Sequence, residues 1–137
     1  MMHRTLRVIG YWRDSSASES LPDVRDFIDE SVPAGVRAAV VAYLRSGTWF
    51  VATAGFSRCR ICGVANGSTD FTDGEHFVWP EGLAHYLETH GVWLPDDVTA
   101  IARRGLAGAV DTGEFERALL DAGEVALDQQ WWASQRR

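Results

Sequence analysis

Apolar positions along the chain change period several times, and each change predicts an element. Leu6, Val8, Ile9, Tyr11 and Trp12 crowd Leu6–Trp12 into a short strand, and Asp14–Ser20 follows as a Ser-rich loop. Within Asp23–Glu30, Val24, Phe27 and Ile28 recur at helical spacing among Asp23, Asp26, Asp29 and Glu30, which form a solvated acidic face. Pro33 suits the first turn of the next helix, whose stripe is Val36, Val40, Val41 and Leu44 and whose stop is Ser46-Gly47. Thr48–Ala54 is rich in β-formers and predicts a buried strand.

From Gly55 to Gly91 the turn residues become dense. Asp73-Gly74 between Thr69–Thr72 and Glu75–Trp79 predicts a tight hairpin. Pro80 with Glu81 then opens a helix that Gly91 ends. Asp96 and Asp97 at one end and Arg103 and Arg104 at the other frame a helix over Asp96–Arg104 in the order the helix dipole favours. A final helix is expected from Gly113 to Ser134, with Phe115, Leu119, Ala122 and Ala126 on one face and Trp131-Trp132 near its end. These elements define an α+β fold, in which short strands and a Cys-turn hairpin region pack with several α-helices. No repeat or linker interrupts it, so residues 1–137 read as a single domain.

The formal net charge of −6, from 19 acidic and 13 basic residues, opposes broad contact with a phosphate backbone. Every basic residue is arginine. Met1–Ile9 carries His3, Arg4 and Arg7 without the apolar core of a leader, and no apolar run approaches the roughly 20 residues a bilayer requires. A cytoplasmic protein with reduced thiols and no membrane partner is therefore expected.

One constellation carries chemistry. Cys59-x2-Cys62 is followed after 22 residues by His85-x4-His90. Two thiolates and two imidazoles suit tetrahedral Zn2+, and Gly63 lets the Cys turn close tightly. The arrangement resembles the Cys-Cys-His-His zinc finger, in which a hairpin precedes a histidine-bearing helix. The 22-residue connector exceeds the common length of about 12 and leaves room for a second hairpin. A single larger zinc-stabilised domain over 1–137, with its metal-binding subregion at 55–94, is thus expected rather than an autonomous DNA reader. On a regular helix, five residues leave His85 and His90 roughly 140° apart, a conflict that eases if the helix ends near Thr89 and His90 is its cap. His76, in the hairpin, is the reserve ligand. Cys59–Gly63, Thr72–Gly74 and Trp79–Tyr86 also resemble small uncharacterised bacterial proteins, a resemblance that transfers no activity.

The expected role is a structural zinc site in a protein-interaction module, with another protein as the partner. Arg58, Arg60, Arg103 and Arg104 offer an alternative as the patch of a DNA- or RNA-binding regulator, which the net charge disfavours. Glu88, between the two histidines, offers another as the base of a zinc-dependent hydrolase. Its spacing matches neither His-Glu-x2-His nor His-x2-Glu-His, and four protein ligands would close the metal to water.

Overall fold

The architecture follows from a computed structural model, which describes residues 3–14, 20–50 and 56–136. Most of the Ser-rich loop and the second half of the strand expected at 48–54 lie outside the described residues. The fold is α+β: a five-stranded mixed sheet with five helices. The strands are β1 (Arg4–Val8), β2 (Thr48–Phe50), β3 (Asp70–Thr72), β4 (Phe77–Pro80) and β5 (Val125–Asp128). The helices are α1 (Ala34–Arg45), α2 (Leu83–His90), α3 (Asp96–Ala102), α4 (Thr112–Leu120) and the single turn α5 (Gln130–Ala133).

The sheet runs in the order β2-β3-β4-β1-β5. The first three strands form an antiparallel meander, and β1 pairs in parallel with β4 on one side and β5 on the other. Period-two alternation in β4 sets the two faces. Phe77 and Trp79 join the larger core, built from α1, α2, α3 and the residues Ile9, Trp12, Val24 and Phe27, while Val78 joins Leu6, Phe50, Phe115 and Val125 on the other face. Among the described residues, no helix is long and apolar enough to cross a membrane.

Four expectations are corrected. The helix expected over Gly113–Ser134 divides into α4, β5 and α5. Gly123 takes a positive φ of 64°, which breaks the helix, and Val125–Asp128 then gains a full ladder against Arg4–Arg7. Propensity alone ranked Ala126 as a helix residue, but the open edge of β1 outweighs it. The acidic segment is a short 3₁₀ turn over Val24–Phe27, capped by Asp23 through the Arg25 N–H. Pro80 ends β4 opposite Asp70 instead of opening α2, which starts at Leu83. Accordingly Glu81 accepts hydrogen bonds from the N–H groups of Ser68 and Thr69 (2.6 and 3.1 Å), not from the helix end. Finally, Trp49 in β2 is 56% exposed, so that strand is buried on one face only, through Phe50.

The hairpin at Asp73-Gly74 forms with a longer loop, Asp73–His76, because the Asp73 carboxylate gathers the chain around itself. Its Oδ1 accepts from the N–H groups of Glu75, His76 and Phe77 at 2.9, 2.7 and 3.1 Å. A second, smaller hairpin precedes it, closed by a bridge between Arg58 and Ala65. The long connector between the cysteine and histidine pairs is thus filled by the β3–β4 hairpin.

Candidate metal centre

Cys59 and Cys62 sit on the turn of that smaller hairpin. The Gly63 N–H donates to the Cys59 carbonyl (2.9 Å), the Cys59 N–H donates to Val64 O (2.9 Å), and Gly63 adopts φ 77°. This geometry turns backbone donors toward sulfur. The N–H groups of Ile61 and Cys62 approach Cys59 Sγ at 3.4 and 3.5 Å. Burial raises the Cys59 thiol, but these N–H groups together with the Cys62 and Tyr86 side chains outweigh it and leave the pKa below the ordinary thiol value, favouring thiolate. Cys62 is exposed, and neither cysteine is in a disulfide.

The histidines come from α2, and the end of that helix resolves the spacing conflict. The helix runs through His90, one residue beyond the expected stop, and Gly91 caps it in the left-handed region at φ 70°. The Gly91 and Val92 N–H groups both reach back to Tyr86 O, five and six residues earlier. This last turn is wider than an α turn, so a five-residue step brings the rings together, with centroids 5.1 Å apart. Arg37 holds the widened turn by donating to the carbonyls of Leu87 (3.3 Å), Val92 (2.8 Å) and Asp29.

The ligand atoms of Cys59, Cys62, His85 and His90 all lie within 4.8 Å of one another, a cluster that could hold a metal ion. His85 Nε2 is 3.5 Å from Cys62 Sγ, while its Nδ1 lies 3.4 Å from Thr89 Oγ1. Burial and the nearby His90 lower the His85 pKa, keeping the imidazole neutral, as a metal ligand must be. His90 Nε2 is buried with no hydrogen-bond partner. A buried orphan of this kind costs about 1–3 kcal/mol, and a metal beside it removes the cost. With bond lengths of about 2.0–2.3 Å, the edges of a zinc tetrahedron are roughly 3.3–3.8 Å, so the widest pair needs to close by about 1 Å. The donor set and geometry fit.

The remaining candidates fall elsewhere. His76 Nδ1 lies 3.2 Å from Asp73 Oδ2, away from the cluster. The Tyr43 O–H donates to the same oxygen at 2.5 Å. Glu88 is held by both nitrogens of the Arg45 guanidinium (2.9 and 2.7 Å) and is not among the clustered ligands. The arginines do not present a free patch beside the cysteines. Arg58 donates to Gly63 O (3.2 Å) and Arg60 to Arg58 O (2.6 Å), bracing the turn. Arg104 instead lines a cleft with Arg4, Asp73 and Arg117.

Two supporting residues were missed in the sequence. The sequence assigns Tyr86 no role at the site, yet its hydroxyl accepts the Arg60 N–H at 2.8 Å. Arg37 was not singled out at all. An aromatic hydroxyl one residue after a ligand and a charged residue in the first turn of α1 are weak signals, since both read equally well as surface or core. Comparison of the chain with protein-family models, with curated proteins and with solved structures found no match.

Proposed function

We propose that Cys59, Cys62, His85 and His90 bind one zinc ion in a closed, structural site, and that the single domain it stabilises acts by contact with another protein. The convergence of four matched ligand atoms carries the metal reading. The structural role follows from the Cys turn's poverty in other anchors. Between residues 56 and 66, Cys59 is the only buried side chain, so the turn has almost no core of its own. A metal tying it to α2 supplies what packing does not. A zinc ligated by four side chains has no open position for substrate water, and Glu88, the base considered above, is engaged by Arg45.

The interaction role is supported by what surrounds the site. Phe56 and Val64, on the same hairpin, are 64% and 47% exposed, and apolar groups displayed on a metal-braced turn suit protein contact. The net charge of −6 and the commitment of Arg58 and Arg60 to backbone carbonyls weigh against nucleic acid.

Elemental analysis of protein purified without chelator, with both thiols reduced, tests the metal reading. About one zinc per chain is expected. Absence of metal, or unchanged thermal stability of Cys62→Ser, would overturn it.

A further inference from the structure

The two sulfurs of the proposed zinc site sit in unlike surroundings. Cys59 is 3% exposed, while Cys62 is open to solvent. The chain beside Cys62 is open as well, since a Cβ built on the neighbouring Gly63 meets no atom within 4 Å. We propose that Cys62 is the oxidant-sensitive point of this site: a peroxide oxidises it, Cys59 closes a disulfide on it, and the metal is released. This rests on the zinc reading above and gives that site a regulation.

The geometry assigns the two cysteines their parts. Cys59 Sγ lies within 4.8 Å of Cys62 Sγ. The N–H groups of Ile61 and Cys62 approach it at 3.4 and 3.5 Å, so the sulfur already rests against the backbone of the residue it joins. The Gly63 N–H on Cys59 O keeps the ends of this turn together. A disulfide bond of about 2.05 Å then asks the sulfurs to close by less than about 3 Å. Burial keeps oxidant away from Cys59, which suits a resolving thiol, and exposure gives the first attack to Cys62.

The chemistry balances with peroxide as the oxidant. Both cysteines ligate as thiolates. Cys62 thiolate attacks one oxygen of hydrogen peroxide; an S–O bond forms, the O–O bond breaks, and hydroxide leaves. Cys59 thiolate then attacks Cys62 Sγ; the S–S bond forms, the S–O bond breaks, and a second hydroxide leaves. The two thiolates have together given two electrons, and hydrogen peroxide has become two hydroxides. Only His85 and His90 remain as ligands, where a structural zinc site takes four.

Release has a direction of effect. The hairpin carrying the exposed Phe56 and Val64 loses its metal tie to α2, while Leu83 and Leu87 keep that helix buried on the sheet. Oxidation thus withdraws the proposed contact surface without unfolding the domain, and a thiol reductant with zinc restores it.

The test treats the zinc-loaded full chain with hydrogen peroxide beside a chromophoric zinc chelator, against a peroxide-free control. Loss of both thiols and of about one zinc per chain, in step, is expected. The mass should fall by two hydrogens, and the peptide map should contain a Cys59–Cys62 link. Dithiothreitol and zinc should return the starting state. In Cys59→Ser, dimedone should trap a sulfenic acid at Cys62. Limiting thiol reagent on the wild-type chain, which needs no variant to fold, should mark Cys62 before Cys59. Zinc retained with both thiols intact under millimolar peroxide overturns the proposal. So do labelling of Cys59 first, release with Cys62 carried to sulfinic acid and no disulfide, and a disulfide formed only between two chains. Zinc content measured before peroxide separates the two readings. A chain without zinc sinks the metal site itself, and a zinc-loaded chain that resists peroxide sinks only its regulation.

Discussion

At the scale of single residues, the site is governed by where backbone donors and acceptors point. Cys59 becomes thiolate-like because two N–H groups face its sulfur, and Arg60 is positioned because its N–H meets Tyr86 Oη at 2.8 Å. Tyr86→Phe removes that acceptor while keeping the ring, which is 4% exposed. A loss of about 1–3 kcal/mol is expected in chemical denaturation, with zinc affinity reduced about 10- to 100-fold because the turn bearing Cys59 loosens. Competition with a chromophoric chelator checks the second figure. Asp73 supplies a pH dependence. Burial raises its carboxyl pKa, but the hydrogen bonds from Tyr43 and three backbone N–H groups outweigh this and hold it below the ordinary value. The unfolded chain therefore binds the Asp73 proton more tightly, and the stability it contributes is present above about pH 4 and is lost as pH falls through its depressed native value. In the metal-free chain His85, with its lowered pKa, acts in the same direction at higher pH, since its neutral form is favoured in the fold and stability falls as pH drops below about 6.5. Denaturation of the metal-free chain from pH 8 to pH 3 should decline in two stages, and Asp73→Asn should diminish the lower one, to which the lowered Glu81 carboxyl also contributes.

At the scale of elements, the last turn of α2 decides whether the histidines meet. Gly91 at φ 70° ends the helix, and an added Cβ would come within 3.3 Å of Glu30 Cγ. Gly91→Ala is expected to cost about 1–2 kcal/mol in backbone strain and to weaken zinc binding by disturbing His90. Gly123 is the control: its φ is similar at 64°, a Cβ there meets nothing within 4 Å, and it lies far along the chain from the ligands. Gly123→Ala should lose similar stability and leave metal affinity intact, as calorimetric metal titration would show. The same elements explain what the sequence disclosed. Cys59, Cys62, His85 and His90 were legible because ligand chemistry is tied to residue type and spacing, and the structure brings all four together. The α+β class, α1, α3 and the Gly91 stop followed from local period and caps. The strand at Val125–Asp128 was not legible, because its pairing partner lies at Arg4–Arg7, beyond the reach of any local pattern. Nor was the widened end of α2, which depends on Arg37 reaching Leu87 and Val92 from another helix.

At the scale of the whole molecule, the proposed metal and the hydrophobic core would stabilise different parts. Leu83 and Leu87 are fully buried and by themselves contribute on the order of 3–6 kcal/mol toward holding α2 on the sheet, whatever the site contains. The face carrying Leu6, Phe50, Val78, Phe115 and Val125 has its own cluster and no share in the ligands. The Cys turn has little of either, since residues 60–66 contain no fully buried side chain and only the half-buried Ile61 packs against the core. Chelation of the metal should therefore open the molecule in steps rather than all at once. Amide exchange followed by mass spectrometry is expected to accelerate first in residues 56–66, by about 100-fold or more where only the metal holds the turn, since 1.4 kcal/mol corresponds to each factor of ten. The α2 amides should follow partly, at the Gly91 end where His90 anchors the widened turn. Those of β1, β4 and β5 should keep most of their protection. Uniform acceleration across the sheet would mean that the metal is required for the global fold. Unchanged exchange in 56–66 would mean that the turn is held by its own hydrogen bonds and that the cysteines bind no ion.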